Sequence, residues 1–161
     1  MLEMPDSVES ALHCTWLLAQ QPATALPARR LAEFHGLPQA YLSKILKLLT
    51  RADVLRAVPG TGGGYRLARD PEQITVLDIL TAVQGDGPMF RCRELRQRGP
   101  VPLPVEACRR PCGIAAVMHR AEQAWRQELA ATTLADLHGH AATASIGRAR
   151  RWLEALPTAN G

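Results

Sequence analysis

The sequence predicts a mainly helical chain carrying one small β-hairpin. Aromatic residues make up only 4% of its 161 residues while Ala and Leu abound, a balance that favours helices over a sheet sandwich. Apolar residues recur at three- and four-residue spacing in several consecutive segments, the period of amphipathic helices. One departure interrupts that pattern: two short β-capable runs flank Pro59-Gly60-Thr61-Gly62-Gly63-Gly64 and read as a hairpin. With 47% hydrophobic and 21% charged residues the chain buries a core, which excludes disorder over its whole length.

The first helix is expected from Asp6 to Gln21, with Val8, Ala11, Leu12, Thr15, Leu18 and Ala19 on its apolar face, Asp6 or Ser7 as cap and Pro22 just beyond its end. A short second helix runs from about Pro27 to His35 and is closed by Gly36. Pro38 opens a third, whose apolar face is Leu42, Ile45, Leu46 and Leu49. Two helices joined by a tight glycine-containing turn form a helix-turn-helix, and a hairpin directly after one is a wing. A further helix covers Thr75 to Val83 and stops at Gly85, so residues 1–85 read as one winged helix-turn-helix domain. Residues 86–112 form a proline-interrupted loop holding Cys92, Cys108 and Cys112, and a loop of that length in a compact chain is usually functional or disordered. A long helix from Cys112 to about Leu137 places Ile114, Met118, Ala121, Trp125, Leu129 and Thr132 near a seven-residue repeat. Such a stripe needs a partner, so 113–138 is read as a dimerisation helix and 139–161 as a poorly ordered tail.

The formal charge of +4 conceals a pattern, because in residues 27–69 eight Lys and Arg face two acids and give +6, while 70–89 hold four acids and no base. On the third helix Gln39, Tyr41, Ser43, Lys44 and Lys47 lie opposite the apolar face. Gln and Ser hydrogen-bond base edges, and Lys neutralises phosphate. Arg29, Arg56, Thr61, Gly62, Gly63, Tyr65 and Arg66 complete a candidate surface for double-stranded DNA, with the wing along the backbone or in a minor groove. A glycine-rich loop also cradles nucleotide phosphates, but that use requires a helix after the last glycine and, in the Walker pattern, Gly-Lys-Ser/Thr; here Tyr65-Arg66-Leu67 follows.

Three segments in order, Ala40-Tyr41-Leu42-Ser43-Lys44-Ile45-Leu46-Lys47-Leu48-Leu49, Gly60-Thr61-Gly62-Gly63-Gly64-Tyr65-Arg66-Leu67-Ala68 and Ile74-Thr75-Val76-Leu77-Asp78-Ile79, resemble the IscR/NsrR/RsrR family of bacterial winged-helix regulators. The resemblance covers roughly residues 7–137. It implies a homodimer reading a palindromic operator, a long dimerisation helix and an iron–sulfur cluster that tunes DNA affinity. Two-fold symmetry suits a palindrome on geometric grounds as well.

Acids in Met1 to Ser7 and the lack of a basic run before an apolar core argue against a signal peptide, and no apolar run approaches the roughly 20 residues that span a bilayer. A cytoplasmic site is expected, where clustered cysteines are metal ligands or redox groups more often than disulfides. Cys92, Cys108 and Cys112 are spaced C-x15-C-x3-C, neither a zinc ribbon nor a ferredoxin run. A four-ligand site needs another donor, and Glu9 and His13 share one face of the first helix, whereas Cys14 points about 100° away and reads as core. The segment Val8-Glu9-Ser10-Ala11-Leu12-His13-Cys14 is similar to the RsrR branch of the family, which implies a [2Fe–2S] cluster held by Glu9 and His13 of one subunit and by Cys92 with Cys112, or else Cys108, of the other. The same donors suit structural zinc. A thiol enzyme is a third reading, since Arg91, Arg93, Arg109 and Arg110 would favour a thiolate, but no histidine base lies in the loop. The balance of the sequence is for a regulator with no catalytic residues and no small-molecule substrate.

Overall fold

The computed structural model describes residues 4–156, and over them the order is α1 (Asp6–Ala19), α2 (Ala28–His35), α3 (Gln39–Arg51), β1 (Leu55–Val58), β2 (Gly64–Leu67), α4 (Val76–Gln84), α5 (Gly113–Ala131), α6 (Leu134–His140) and α7 (Thr143–Glu154). The helical chain with one two-stranded antiparallel hairpin is the architecture expected from the sequence. Helix α1 starts one residue earlier than a cap at Asp6 requires and two earlier than a cap at Ser7, because Pro5 is the extended N-cap residue and no side chain caps the helix. Asp6 instead lies inside the first turn, where its charge complements the helix dipole.

The α2–α3 turn follows from local sterics. Gly36 adopts φ 65°, which glycine tolerates without a Cβ clash. The Leu37 N–H then donates to Ala32 C=O at 2.9 Å and the Gly36 N–H to Glu33 C=O, a glycine stop that ends α2. Pro38, with no N–H to lose, begins α3 two residues later.

Ala11, Cys14, Leu17 and Leu18 of α1 pack with Leu31, Leu42, Leu46, Leu49, Leu55, Ile74 and Ile79 in one core, each at most 1% exposed. A fully buried Leu contributes about 1.5–3 kcal/mol, so this cluster dominates the stability of the domain. The hairpin pairs Leu55 with Leu67, Arg56 with Arg66, Ala57 with Tyr65 and Val58 with Gly64. Leu26 extends it by exchanging two backbone hydrogen bonds with Tyr65, at 2.9 and 2.8 Å.

Two expectations are corrected. The long helix does not run to Leu137, because Thr132 is extended and α5 stops at Ala131. The Val76 N–H donates to Thr132 C=O and the Leu134 N–H to Ile74 C=O, both at 2.9 Å, so the strand-like Thr132-Thr133 step is docked beside Thr75. Thr133 then caps α6 through reciprocal bonds with Asp136, and Leu134 is wholly buried. The tail is not without structure either: residues 143–154 are helical, and α7 buries Ala149 and Leu153 in the core and sets Trp152 against Phe34. The part of the expected tail from 157 to 161 lies outside the described residues.

Candidate nucleic-acid interface and metal-ligand groups

Helix α3 buries Leu42, Ile45, Leu46 and Leu49, which leaves Gln39, Lys44 and Lys47 exposed and Ser43 half-buried. Residues 39, 43 and 47 are four apart and share one strip. Arg51 continues that strip and is exposed; its spacing from Lys47 was the signal that sequence reading passed over. Tyr41 packs against the core with its hydroxyl buried and without a hydrogen-bond partner among the described residues. Its hydroxyl therefore faces the core rather than solvent in the DNA-free chain.

At the hairpin Arg56 is exposed and sits opposite Arg66 in register. Like charges directly opposite each other destabilise a hairpin unless an anion lies between them or over them. Arg66 is half-buried and its Nε is buried with no partner among the described residues. Thr61 and Gly62 are exposed at the tip, while Tyr65 is half-buried against the core. Gly63 is buried, its N–H is bonded to Gly60 C=O at 3.0 Å, and a Cβ there would lie 2.1 Å from Val58 O. It serves the turn.

The structure divides the basic block. Arg30 pairs with Glu33 at 3.0 Å, and Arg69 ties the Asp53 and Gln73 carbonyls and the Asp78 carboxylate together. Arg29, Lys44, Lys47, Arg51, Arg56 and Arg66 pair with no carboxylate among the described residues. Within residues 27–69 the uncompensated charge thus lies on α3, the hairpin and the start of α2.

The expected metal ligands are distributed differently. Glu9 and His13 lie side by side on α1, 3.9 Å apart, with side chains 75% and 62% exposed. All four cysteines are free thiols; Cys92 is exposed, and Cys108 and Cys112 are half-buried. Cys14 is buried as expected, and burial pushes its thiol up to about 12, so it stays neutral in the core. Cys112 is the N-cap residue of α5: its Sγ accepts from the Ala115 N–H at 3.4 Å, and this bond, with Ile114 N–H and the nearby Arg96, holds its pKa below the usual thiol value. Arg96 organises the loop, bonding Glu94 at 2.9 Å and Arg110 C=O at 3.1 Å. Among the described residues no three His, Cys, Asp or Glu side chains of one chain converge on a common point. Each chain therefore offers a carboxylate–imidazole pair on α1 and three free cysteines in the 86–112 loop.

A family model described as iron-dependent transcriptional regulator, Rrf2, matches residues 4–140. The chain belongs to the Rrf2 family of DNA-binding transcription regulators. The HTH-type transcriptional regulator BadM of Rhodopseudomonas palustris is 31% identical over 86 residues, 53% of this chain and 55% of BadM. NsrR of Bacillus subtilis is 27% identical over 122 residues, 76% of this chain and 80% of NsrR. The structure of CymR, the global cysteine regulator of B. subtilis, has the same fold, with a TM-score of 0.71 over 88% of this chain and 100% of that one at 22% identity. The chain spans just over half the length of BadM. The family and these relatives are transcription regulators rather than enzymes. Among the described residues no helix is long and apolar enough to cross a membrane.

Proposed function

We propose that this protein is a cytoplasmic, dimeric regulator that reads a palindromic duplex operator with α3 and the hairpin, and whose affinity is set by a [2Fe–2S] cluster. The opposed Arg56–Arg66 pair, together with the uncompensated Lys44, Lys47 and Arg51, carries the DNA reading, because such a surface is stabilised by a polyanion. Ile114, Val117 and Met118 are 71%, 53% and 37% exposed on α5 and support a second copy as its cover.

Cys92 with Cys112 or Cys108 of one chain and Glu9 with His13 of its partner would hold the cluster. Their chemistry fits, since backbone N–H groups hold the Cys112 pKa below the usual thiol value, His13 and Glu9 are open to a second chain, and neither half-set is complete alone. When bound, such a cluster supplies a one-electron centre whose potential imidazole ligation raises. Helix α1, which carries Glu9 and His13, packs directly on α3 and α4, so a displacement of that pair reaches the reading helix through the core. The test is binding to an operator selected from random duplexes, measured at one salt concentration for oxidised, reduced and cluster-free protein. Different affinities are expected; equal affinities refute the switch, and a colourless protein with stoichiometric zinc refutes the cluster. The absorbance of Cys108→Ala and Cys112→Ala separates the two candidate thiolates, with loss expected for Cys112→Ala.

A further inference from the structure

A cleft of about 390 Å³ lies between α1, α2, α6 and α7, within the size range of small-molecule sites. None of its lining residues belongs to α3 or the hairpin, so it is separate from the DNA-reading surface. Leu12, Trp16 and Leu137 give it an apolar wall and are only partly covered by the core. His13, His35, Ser145 and Arg148 are polar members of the lining, His13 being also one of the proposed cluster ligands, and no Asp or Glu contributes to it.

Arg148 decides the chemistry. Its guanidinium lies over the Phe34 ring, 4.3 Å from the centroid, and Nη2 donates to Phe34 C=O at 2.7 Å. That bond uses one of five N–H donors, and no carboxylate pairs with Arg148 among the described residues. The imidazole of His35 adds a buried Nε2 that has no partner among the described residues. An aromatic and aliphatic wall, an uncompensated cation held in place by stacking, and no acid in the lining are complementary to a small organic anion. Helix α7, which supplies Ser145 and Arg148, lies beyond residues 4–140, so membership of the family does not by itself furnish this cleft.

We propose that this cleft binds a small carboxylate with a flat apolar body, its anionic end taken by Arg148 and its body lying against Leu12, Trp16 and Leu137. Because α2 is one wall, the bound molecule bears directly on the first helix of the helix-turn-helix. The test uses metal-free, DNA-free full chain, so its outcome is independent of the operator and the cluster. Calorimetric titration with 3-phenylpropionate and hexanoate is compared with titration by their neutral amides. Saturable binding is expected, with each acid at least about tenfold tighter than its amide. Arg148→Met should erase that preference and Arg148→Lys retain part of it. Ala141→Phe, which fills the cleft and leaves Arg148 in place, should abolish binding without lowering the thermal midpoint. Amide exchange in α2 and α7 should slow with 3-phenylpropionate present. No saturable binding of either acid up to about 10 mM, or equal affinity for acid and amide, overturns the proposal.

Discussion

Replacing Gly64 with alanine tests how the wing is fastened to the helices. Gly64 has φ +148°, and a Cβ there would lie 2.3 Å from the backbone carbon and oxygen of Leu26. Neither atom belongs to a flexible side chain, so the hairpin or the Leu26 segment must move. The left-handed backbone alone is worth about 1–3 kcal/mol of strain for a residue with a side chain. Displacement also weakens the two Leu26–Tyr65 hydrogen bonds, worth about 1 kcal/mol each. The sum is a loss of about 3 kcal/mol, or a midpoint lower by about 6–12 °C in a chain of this size. Gly60→Ala is the internal control: φ is +97° but nothing lies within 4 Å of its Cβ, so only the strain of about 1–3 kcal/mol should appear. Urea and thermal unfolding followed by far-ultraviolet circular dichroism measure both. If Gly64→Ala is no more destabilising than Gly60→Ala, the Leu26 contact does not anchor the wing and the argument for its fixed position beside α3 is wrong.

Other consequences are as direct. Lys44→Ala and Lys47→Ala should each weaken operator binding and reduce the slope of log affinity against log salt by about 1, whereas Gln39→Ala should alter sequence preference with the slope unchanged; unchanged slopes for both lysine variants would remove α3 from the phosphate contact. Leu134→Ala truncates a wholly buried side chain just after the Thr132-Thr133 step and should destabilise by about 3 kcal/mol in urea unfolding; a loss below about 1 kcal/mol would mean the α5–α6 break is not held by the core. His35 is pushed down to about 4 by burial first and then by His13 and Arg148, from an ordinary 6.5. The unfolded chain thus binds more protons between these values, so stability should be full above pH 6.5 and fall as pH drops towards about 4. His35→Gln should flatten that part of the pH–stability curve, and an unchanged curve would refute the assignment.

Where a step in the chain depends on neighbours in sequence, the sequence alone was enough. Gly36 and Pro38 dictate the α2–α3 turn, because one supplies a left-handed residue and the other cannot continue a hydrogen-bond ladder. The apolar face of α3 and its polar strip follow from the period of 3.6. Sequence reading missed the break at Thr132-Thr133 because two threonines only mildly disfavour a helix; pairing with Thr75, far away along the chain, decides it. It also missed that Gly63 and Tyr41 face inward, since a loop glycine and a tyrosine on a polar strip carry no local mark of burial.

By itself, then, the sequence determined the helix-turn-helix, the wing, the basic surface and the separation of Cys14 from the three loop cysteines, all set by local geometry and side-chain chemistry. Only the tertiary structure decided which basic residues remain unpaired, that Cys112 caps α5, and that α7 folds back so that Arg148 reaches Phe34 across 114 positions of sequence. Those outcomes depend on burial and on groups brought together from distant segments, where packing free energy outweighs the weak preferences of an alanine- and threonine-rich stretch.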